Sequence, residues 1–415
     1  MAEASKIRGS FNSTIIELRH KEAARQLKSD PQVTIRRADK ASPYVLIDTK
    51  EYLRKLDDIL DDTSKFMKIT KDPTEALKSK LNKIIVKNNS VSKTVKFDKL
   101  TGDYSMGYCY GNIKTHKPGN KLRPIISQIP APTYGIAKRL CTLLTPYVPS
   151  TFLLQSASDF LDILKTSNSK GVIASLNVES QFTNVPVDRT IDLIIQRIYY
   201  NDSTPALDMP EAALRELLEW CTEEAPFICP RGNKFRQIDG VAMGSHLEVL
   251  LANFFMGSIE EEVSKETEKP DIYCRYIDDI FIKTKNQAEI EQLRHRLQQA
   301  SGLNFTTENS VNGSMPFLNI LVKQTGESFN TEVYVKTTNP GHCLNGRSEC
   351  PQRYKDSTIR RALTHCSTWK QIYYKNKKSS YLLLKNSPDI KREAMQKSHV
   401  SETVCGEDSL FSLAE

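Results

Sequence analysis

The stretch that decides the fold reads Tyr273-Cys274-Arg275-Tyr276-Ile277-Asp278-Asp279-Ile280-Phe281-Ile282. Two adjacent carboxylates stand inside an apolar pattern, and burying two unpaired negative charges is costly. Because the flanks are rich in β-branched and aromatic residues, the stretch predicts two strands joined by a turn that carries the two aspartates. A divalent cation is the natural counter-charge for such a pair. We therefore expect Asp278 and Asp279 to lie on a rigid hairpin and to bind metal.

Paired carboxylates of this kind occur in nucleic-acid polymerases, where Mg²⁺ ions roughly 3.5–4 Å apart activate a primer hydroxyl and stabilise the departing pyrophosphate. Such a site needs a further carboxylate, which in most reverse transcriptases ends an earlier apolar strand and precedes a bulky aromatic by five residues. The chain has the strand-like residues 171–176 and the aromatic Phe182, with Asn177 between them. The pattern is that of a polymerase site with one metal ligand replaced.

Composition and charge favour a polyanionic partner. The chain has 415 residues, enough for two or three substructures, and a formal net charge of +8. The span 104–158 contains six lysines and arginines and no Asp or Glu, which suits phosphate contact, with a solvated basic face as the alternative. Nine scattered cysteines and the absence of a signal peptide or a long apolar run predict a soluble intracellular protein without a membrane segment.

A basic β-hairpin is predicted around Pro118-Gly119, because this dipeptide is a strong turn signal between two strand-like runs. Arg123, together with Lys114 or Lys121, could fold over a triphosphate, since arginine offers a bidentate phosphate contact that lysine cannot make. A plain surface hairpin is the alternative.

A glycine-containing loop, residues 240–245, leads into a helix with an apolar stripe. Its glycines permit close backbone approach, and Ser245 with Glu248 predicts a capping box at the start of the helix. A loop of this kind could line a template and nucleotide pocket through Met243 and Gly244.

In their order along the chain, these motifs resemble those of the reverse transcriptases of Penelope-like retroelements, and the resemblance covers about residues 30–370. The matching sequence motifs are Ala38-Asp39-Lys40, Lys114-Thr115-His116-Lys117, Arg123-Pro124-Ile125-Ile126-Ser127, Phe182-Thr183-Asn184-Val185-Pro186, Gly240-Val241-Ala242-Met243-Gly244-Ser245, Leu251-Ala252-Asn253, Arg275-Tyr276-Ile277-Asp278-Asp279 and Pro316-Phe317-Leu318. The GIY-YIG endonuclease that often follows the polymerase in this family has no counterpart here, so we expect a truncated or degenerate copy of such a transposable element.

The resemblance implies a right-hand polymerase fold of the α+β class, with fingers, palm and thumb and an antiparallel palm sheet. We expect an N-terminal extension with the start of the fingers at 1–105, basic fingers at 106–165, the palm at 166–325, and a thumb-like basic region with an unplaced tail at 326–415. The family's genomic substrate suggests residence in the nucleus.

The resemblance also implies the activity, an RNA-directed DNA polymerase that uses an RNA template, a DNA primer and dNTPs. Asp278 and Asp279 are the expected catalytic ligands of two Mg²⁺ or Mn²⁺ ions, with Asn177 at a weakened third position. Substrate contacts are expected from Phe182 as the sugar gate, Arg123 and Lys121 at the triphosphate, and Met243 and Gly244 in the nucleotide pocket. As an alternative, Phe182 is a core aromatic.

Asn177 decides how active such a site can be. A neutral amide can ligate Mg²⁺ but cannot bridge two cations with the strength of a carboxylate, and we expect a rate roughly 10²–10⁴-fold lower. Glu179 would replace the lost charge only if the strand continued to that position. Three interpretations stay open at this stage: a working polymerase, a nucleic-acid-binding protein without turnover, and a decayed element copy.

Metal binding by cysteine and histidine is not expected. His342, Cys343, Cys350, His365 and Cys366 have irregular spacing and no CxxC pair. We interpret the cysteines, including Cys221 and Cys229, as scattered buried residues.

Overall fold

The computed structural model describes residues 15–39, 44–115, 119–201, 206–223, 225–266, 269–336, 352–354 and 356–357. Its helices are α1 Ile15–Ser29, α2 Thr49–Leu60, α3 Thr74–Val91, α4 Thr133–Leu144, α5 Ala157–Thr166, α6 Gln181–Asn184, α7 Val187–Tyr199, α8 Glu211–Thr222, α9 Glu248–Glu266 and α10 Gln287–Ser301, with a 3₁₀ turn at Thr145–Tyr147. Its strands are β1 Val33–Arg37, β2 Tyr44–Asp48, β3 Phe66–Ile69, β4 Gly107–Ile113, β5 Leu122–Ser127, β6 Val172–Val178, β7 Pro226–Ile228, β8 Lys234–Gln237, β9 Ile272–Tyr276, β10 Asp279–Thr284, β11 Phe305–Asn309, β12 Ser314–Phe317, β13 Ile320–Thr325 and β14 Ser328–Val333.

The chain divides into two compact units, and each is built from separate segments. The first unit contains residues 1–151 and 180–262, and the second contains residues 152–179 and 263–415. The four consecutive domains expected above stay a prediction.

The first unit is organised around a five-stranded sheet in the order β3-β8-β7-β4-β5. The predicted basic hairpin is confirmed, since β4 and β5 pair antiparallel from Tyr108 opposite Ser127 to Ile113 opposite Leu122. Its tip at residues 116–118 lies outside the described part of the chain. One sheet face packs on α2 through a core that includes Tyr52, which donates its hydroxyl proton to the carbonyl oxygen of Gly111 at 3.5 Å.

The second unit contains an antiparallel sheet in the order β11-β6-β10-β9, which confirms the antiparallel arrangement expected for the palm. A second sheet, β12-β13-β14, contributes to the same apolar core. The rings of Phe160, Phe281 and Phe317 contact one another with centroids 4.8 to 5.5 Å apart. This core includes Cys274 on β9 and Phe281 on β10, the two strands of the hairpin that carries the aspartates.

One local prediction is wrong, and it has a physical reason. The capping box at Ser245 does not form: the Ser245 hydroxyl accepts the backbone N–H of Leu247 at 3.2 Å, and α9 begins only at residue 248.

The apolar stripe of α9 and the burial of Cys221 and Cys229 are confirmed, while Cys141 is only half-buried. Leu247, Leu250, Leu251, Phe254 and Phe255 are all at most 5% exposed. Cys221 and Cys229 are buried, while the His342–Cys366 group lies outside the described residues. Across the part of the chain that the structure describes, no helix combines the length and apolarity needed to cross a membrane.

Candidate active site

The two aspartates lie at a tight β-hairpin between β9 and β10, as predicted. Tyr276 pairs with Asp279, so Ile277 and Asp278 form the two-residue loop. Ile277 has a φ of 58°, a left-handed conformation that a β-branched residue rarely adopts. A hairpin with positive φ at its first loop residue normally places glycine there. The turn is therefore strained by about 1–3 kcal/mol, and the surrounding structure must hold it in place.

Asn177 lies beside this turn because of the strand register. It is directly opposite Asp279 on the neighbouring strand β6, and Asp278 accepts the backbone N–H of Val178 at 3.0 Å through its carbonyl oxygen. The Asn177 side-chain amide donates from Nδ2 to Oδ1 of Asp279 at 2.7 Å. The three residues of the expected metal site are thus brought together, and the amide donates a hydrogen bond to one of the two carboxylates.

Arg275 supports the turn from the other face of the sheet. It pairs with Ile280, and Leu176 follows on β6, so its side chain projects away from the face of Asp279. The side chain is fully buried, with 0% exposure, and its Nη1 donates to the carbonyl oxygen of Ile277 at 3.0 Å. This residue was missed as a site residue; the available signal was an arginine inside an apolar strand directly before the aspartates.

The strand that carries Asn177 ends one residue later. β6 stops at Val178, and Glu179 follows in a turn where its backbone N–H donates to the carbonyl oxygen of Asn304 at 2.9 Å. The alternation argument that would place Glu179 beside Asn177 therefore does not apply. Among the described residues, no three Cys, His, Asp or Glu side chains gather where they could hold a metal ion.

The donor set at the turn fits one divalent cation better than two. Mg²⁺ is commonly bound by one or two carboxylates together with water and substrate phosphates, and Asp278 and Asp279 meet that need. A second ion would require a bridging carboxylate, whereas the amide of Asn177 is neutral and directs its N–H toward Asp279.

The expected substrate contacts lie in the first unit, and the 240–245 loop joins most of them. The backbone N–H of Val241 donates to the carbonyl oxygen of Phe182 at 2.7 Å, and that of Ile126 on β5 donates to Met243 at 2.8 Å. Phe182 itself lies in the short helix α6 and is half-buried. The loop thus connects the segment of the expected sugar gate with the strand that carries Arg123.

Close backbone approach explains the glycines of this loop, as predicted. Gly240 has a φ of 73°, and a Cβ there would lie 2.6 Å from the carbonyl oxygen of Thr183. Gly244 has a φ of 110°, and a Cβ there would lie 3.0 Å from the carbonyl oxygen of Ile126.

Arg123 is already paired within the protein. Its Nε lies 3.4 Å from Oδ2 of Asp39, a carboxylate that is only 6% exposed. Lys121 is exposed at the start of the same strand, and its carbonyl oxygen accepts the backbone N–H of Lys114 at 2.8 Å. The contact between Arg123 and Asp39 was not predicted from the sequence, in which Asp39 was named only within the motif Ala38-Asp39-Lys40.

The chain resembles known proteins in sequence over part of its length. Residues 115–307 match the family described as reverse transcriptase (RNA-dependent DNA polymerase). Over these residues the chain is reverse-transcriptase-like. No curated protein matches the chain in sequence.

One solved polymerase structure resembles this fold over most of the chain, and two others align more weakly. A telomerase from Candida albicans in complex with a TWJ fragment of telomeric RNA aligns with a TM-score of 0.52 and 12% identity over 94% of this chain and 70% of its own. The RNA-dependent RNA polymerase of a human picobirnavirus, with its insertion loop deleted, aligns with a TM-score of 0.41 and 14% identity over 78% of this chain and 70% of its own. A foamy viral protease-reverse transcriptase in complex with double-stranded DNA aligns with a TM-score of 0.35 and 12% identity over 72% of this chain and 38% of its own.

The telomerase likeness establishes the right-hand polymerase fold. The second unit supplies the sheet with the Asp278–Asp279 hairpin, which corresponds to the expected palm sheet. Most of the expected thumb-like region, residues 326–415, lies outside the described residues.

Proposed function

We propose that this reverse-transcriptase-like domain is an RNA-directed DNA polymerase of the Penelope-like retroelement type whose nucleotide addition is strongly impaired by Asn177. The hydrogen bond from Asn177 Nδ2 to Asp279 Oδ1, 2.7 Å long, carries this proposal. A carboxylate in place of the amide would repel Asp279 and draw in a cation, whereas the amide stabilises the site without one. The proposed substrates are an RNA template, a DNA primer and dNTPs, and the proposed place of action is the nucleus.

The residues of the chain have distinct parts in this proposal. Asp278 and Asp279 would hold one Mg²⁺ or Mn²⁺ ion, and a second ion would be held only weakly because the amide of Asn177 is neutral. A bound ion would acidify the primer hydroxyl and stabilise the developing charge on the triphosphate. Phe182 would exclude a 2′-hydroxyl by lying under the incoming sugar. Arg123 would contact the triphosphate.

Further substrate contacts are proposed from the loop and the hairpin. Met243 and Gly244 would line the nucleotide pocket, because their loop is held against β5 by the backbone hydrogen bond from Ile126. Lys121 would add a point charge beside the triphosphate, since it is exposed near the start of that strand.

Primer extension on an RNA template tests the proposal directly. The natural chain is compared with Asn177→Asp and with an Asp278→Asn, Asp279→Asn double variant, in Mg²⁺ and in Mn²⁺. We expect Asn177→Asp to extend primers roughly 10²–10⁴-fold faster than the natural chain and the double variant to be inactive. Equal rates for the natural chain and Asn177→Asp would refute impairment at this residue.

A second candidate function is nucleic-acid binding without turnover. It is favoured by the acid-free span 104–158, in which Lys121, Lys138 and Arg139 are exposed. Its test is the salt dependence of RNA and primer-template affinity, which falls steeply with salt when phosphates are neutralised by lysine and arginine. A chain that binds in this way but extends no primer even as Asn177→Asp would favour this function over the first.

A further inference from the structure

Glu248 is the first residue of α9, and its carboxylate turns back onto the preceding loop. Its Oε2 accepts the backbone N–H of Gly244 at 2.8 Å. Burial raises the pKa of Glu248, while the Gly244 hydrogen bond and the positive charge of Arg123 lower it. The carboxylate is therefore partly dehydrated, hydrogen-bonded to the Gly244 N–H and influenced by the positive charge of Arg123.

The loop and Arg123 are held together by the neighbouring strand. Ile126 on β5 donates its backbone N–H to Met243, and a Cβ at Gly244 would lie 3.0 Å from the carbonyl oxygen of Ile126. Arg123 lies on the same strand and keeps 31% of its side chain exposed while contacting Asp39. Within the first unit, Gly244 and Arg123 thus occupy adjacent, mutually fixed segments.

Backbone N–H groups and arginine side chains are both donors that bind phosphate and other anions. Here the anion is supplied by the chain itself. We propose that Glu248 is a built-in competitor that occupies the anion position formed by the Gly244 N–H and Arg123, and that it opposes binding of a nucleotide triphosphate there. This inference rests on the proposed function, which places the nucleotide at these two residues.

The consequence is a second barrier to nucleotide use that is independent of Asn177. A triphosphate must displace the Glu248 carboxylate from Gly244 and then remain near its negative charge. In addition, the guanidinium of Arg123 already interacts with the buried Asp39, which weakens its attraction for a bound triphosphate. Neutralising Glu248 while keeping its shape should therefore tighten binding without any change at the metal ligands.

Titration calorimetry with dATP and Mg²⁺ tests this inference in the Asn177-containing chain, where no primer is present and no chemistry is needed. We expect Glu248→Gln to bind dATP on the order of tenfold more tightly than the natural chain, the effect of removing one like charge near a bound phosphate. Glu248→Asp keeps the charge and should bind within about twofold of the natural chain. Glu75→Gln is the matched control, because Glu75 is also in the first turn of a helix and its side chain is 79% exposed.

A double-mutant cycle with Arg123→Gln identifies the route of the effect. In the Arg123→Gln background, we expect the gain from Glu248→Gln to fall below about twofold. The inference is overturned if Glu248→Gln binds dATP no more tightly than Glu75→Gln, if Glu248→Asp tightens binding equally, or if Glu248→Gln shows no binding in the millimolar range. Failure of Asn177→Asp to extend primers would refute the proposed polymerase activity but would leave this binding comparison standing.

Discussion

Replacing Asn177 by Asp converts a hydrogen bond at the turn into a contact between like charges. The Asn177 amide lies 2.7 Å from Oδ1 of Asp279, and a hydrogen bond to a charged group contributes about 1.5–3 kcal/mol. Two carboxylates about 4 Å apart repel each other by about 4 kcal/mol at an effective dielectric constant of 20. Both positions are half-buried, so side-chain movement and water relieve part of this cost. We expect Asn177→Asp to be less stable than the natural chain by about 2–3 kcal/mol without metal.

A divalent cation should reverse this loss, because the variant would present three carboxylates instead of two. Binding to the folded state alone stabilises by about 2.7 kcal/mol when the free ion is a hundredfold above its dissociation constant. Thermal unfolding in EDTA and in millimolar Mg²⁺ or Mn²⁺ measures the effect without requiring catalysis. We expect a metal-dependent rise in Tm of several degrees for Asn177→Asp and a much smaller rise for the natural chain.

The control variant carries Asn177→Asp together with Asp278→Asn and Asp279→Asn, and we expect it to lose the metal response. The reasoning is refuted if Asn177→Asp melts at the same temperature in EDTA and in Mg²⁺, or if the natural chain gains as much from the metal. Either result would mean that the charge at position 177 does not control cation binding at the hairpin.

Three further outcomes follow from the contacts described above. Burial and three neighbouring carboxylates raise the pKa of Glu223 to about 7 from an ordinary 4.5, so ionisation of Glu223 destabilises the fold as pH rises through this window. Chemical unfolding should therefore show Glu223→Gln to be more stable than the natural chain by about 1 kcal/mol at pH 8 but not at pH 5, after a discount for the partial exposure of the side chain. Gly240→Ala should lower the free energy of unfolding by more than about 2 kcal/mol, because the φ of 73° at Gly240 and the 2.6 Å approach to the carbonyl oxygen of Thr183 leave no room for a methyl group. A urea midpoint close to that of the natural chain would contradict this prediction. Arg275→Met should lower the free energy of unfolding in urea by about 2 kcal/mol, because the carbonyl oxygen of Ile277 loses its donor at 3.0 Å. In an Asn177→Asp chain, the same change should also weaken the stabilisation by Mn²⁺. An unchanged Mn²⁺ affinity would show that the arginine stabilises the sheet without positioning the turn.

Sequence patterns were sufficient for both hairpins, which depend on near neighbours, but not for the cap of α9, where the box expected at Ser245 does not form. The alternation around Asp278 and Asp279 predicted the hairpin, and Pro118-Gly119 predicted the pairing of β4 with β5. Helix α2 is also capped by a near neighbour, since the Asp48 side chain accepts the backbone N–H of Glu51. These features follow from turn chemistry, capping and periodicity, which act over a few residues.

Tertiary structure decided the contacts that determine whether the site can work. Asn177 meets Asp279 across 102 residues of sequence, and the register of β6 against β10 selects that partner. The burial of Arg275 and the return of Glu248 onto Gly244 likewise depend on which elements pack together. The Asp278–Asp279 pair, the strand pattern and the replacement of a ligand by Asn177 were determined by the sequence itself. The hydrogen bonds of Asn177, Arg275 and Glu248 were settled only by the fold, because their geometry is set by strand register and core packing between distant segments.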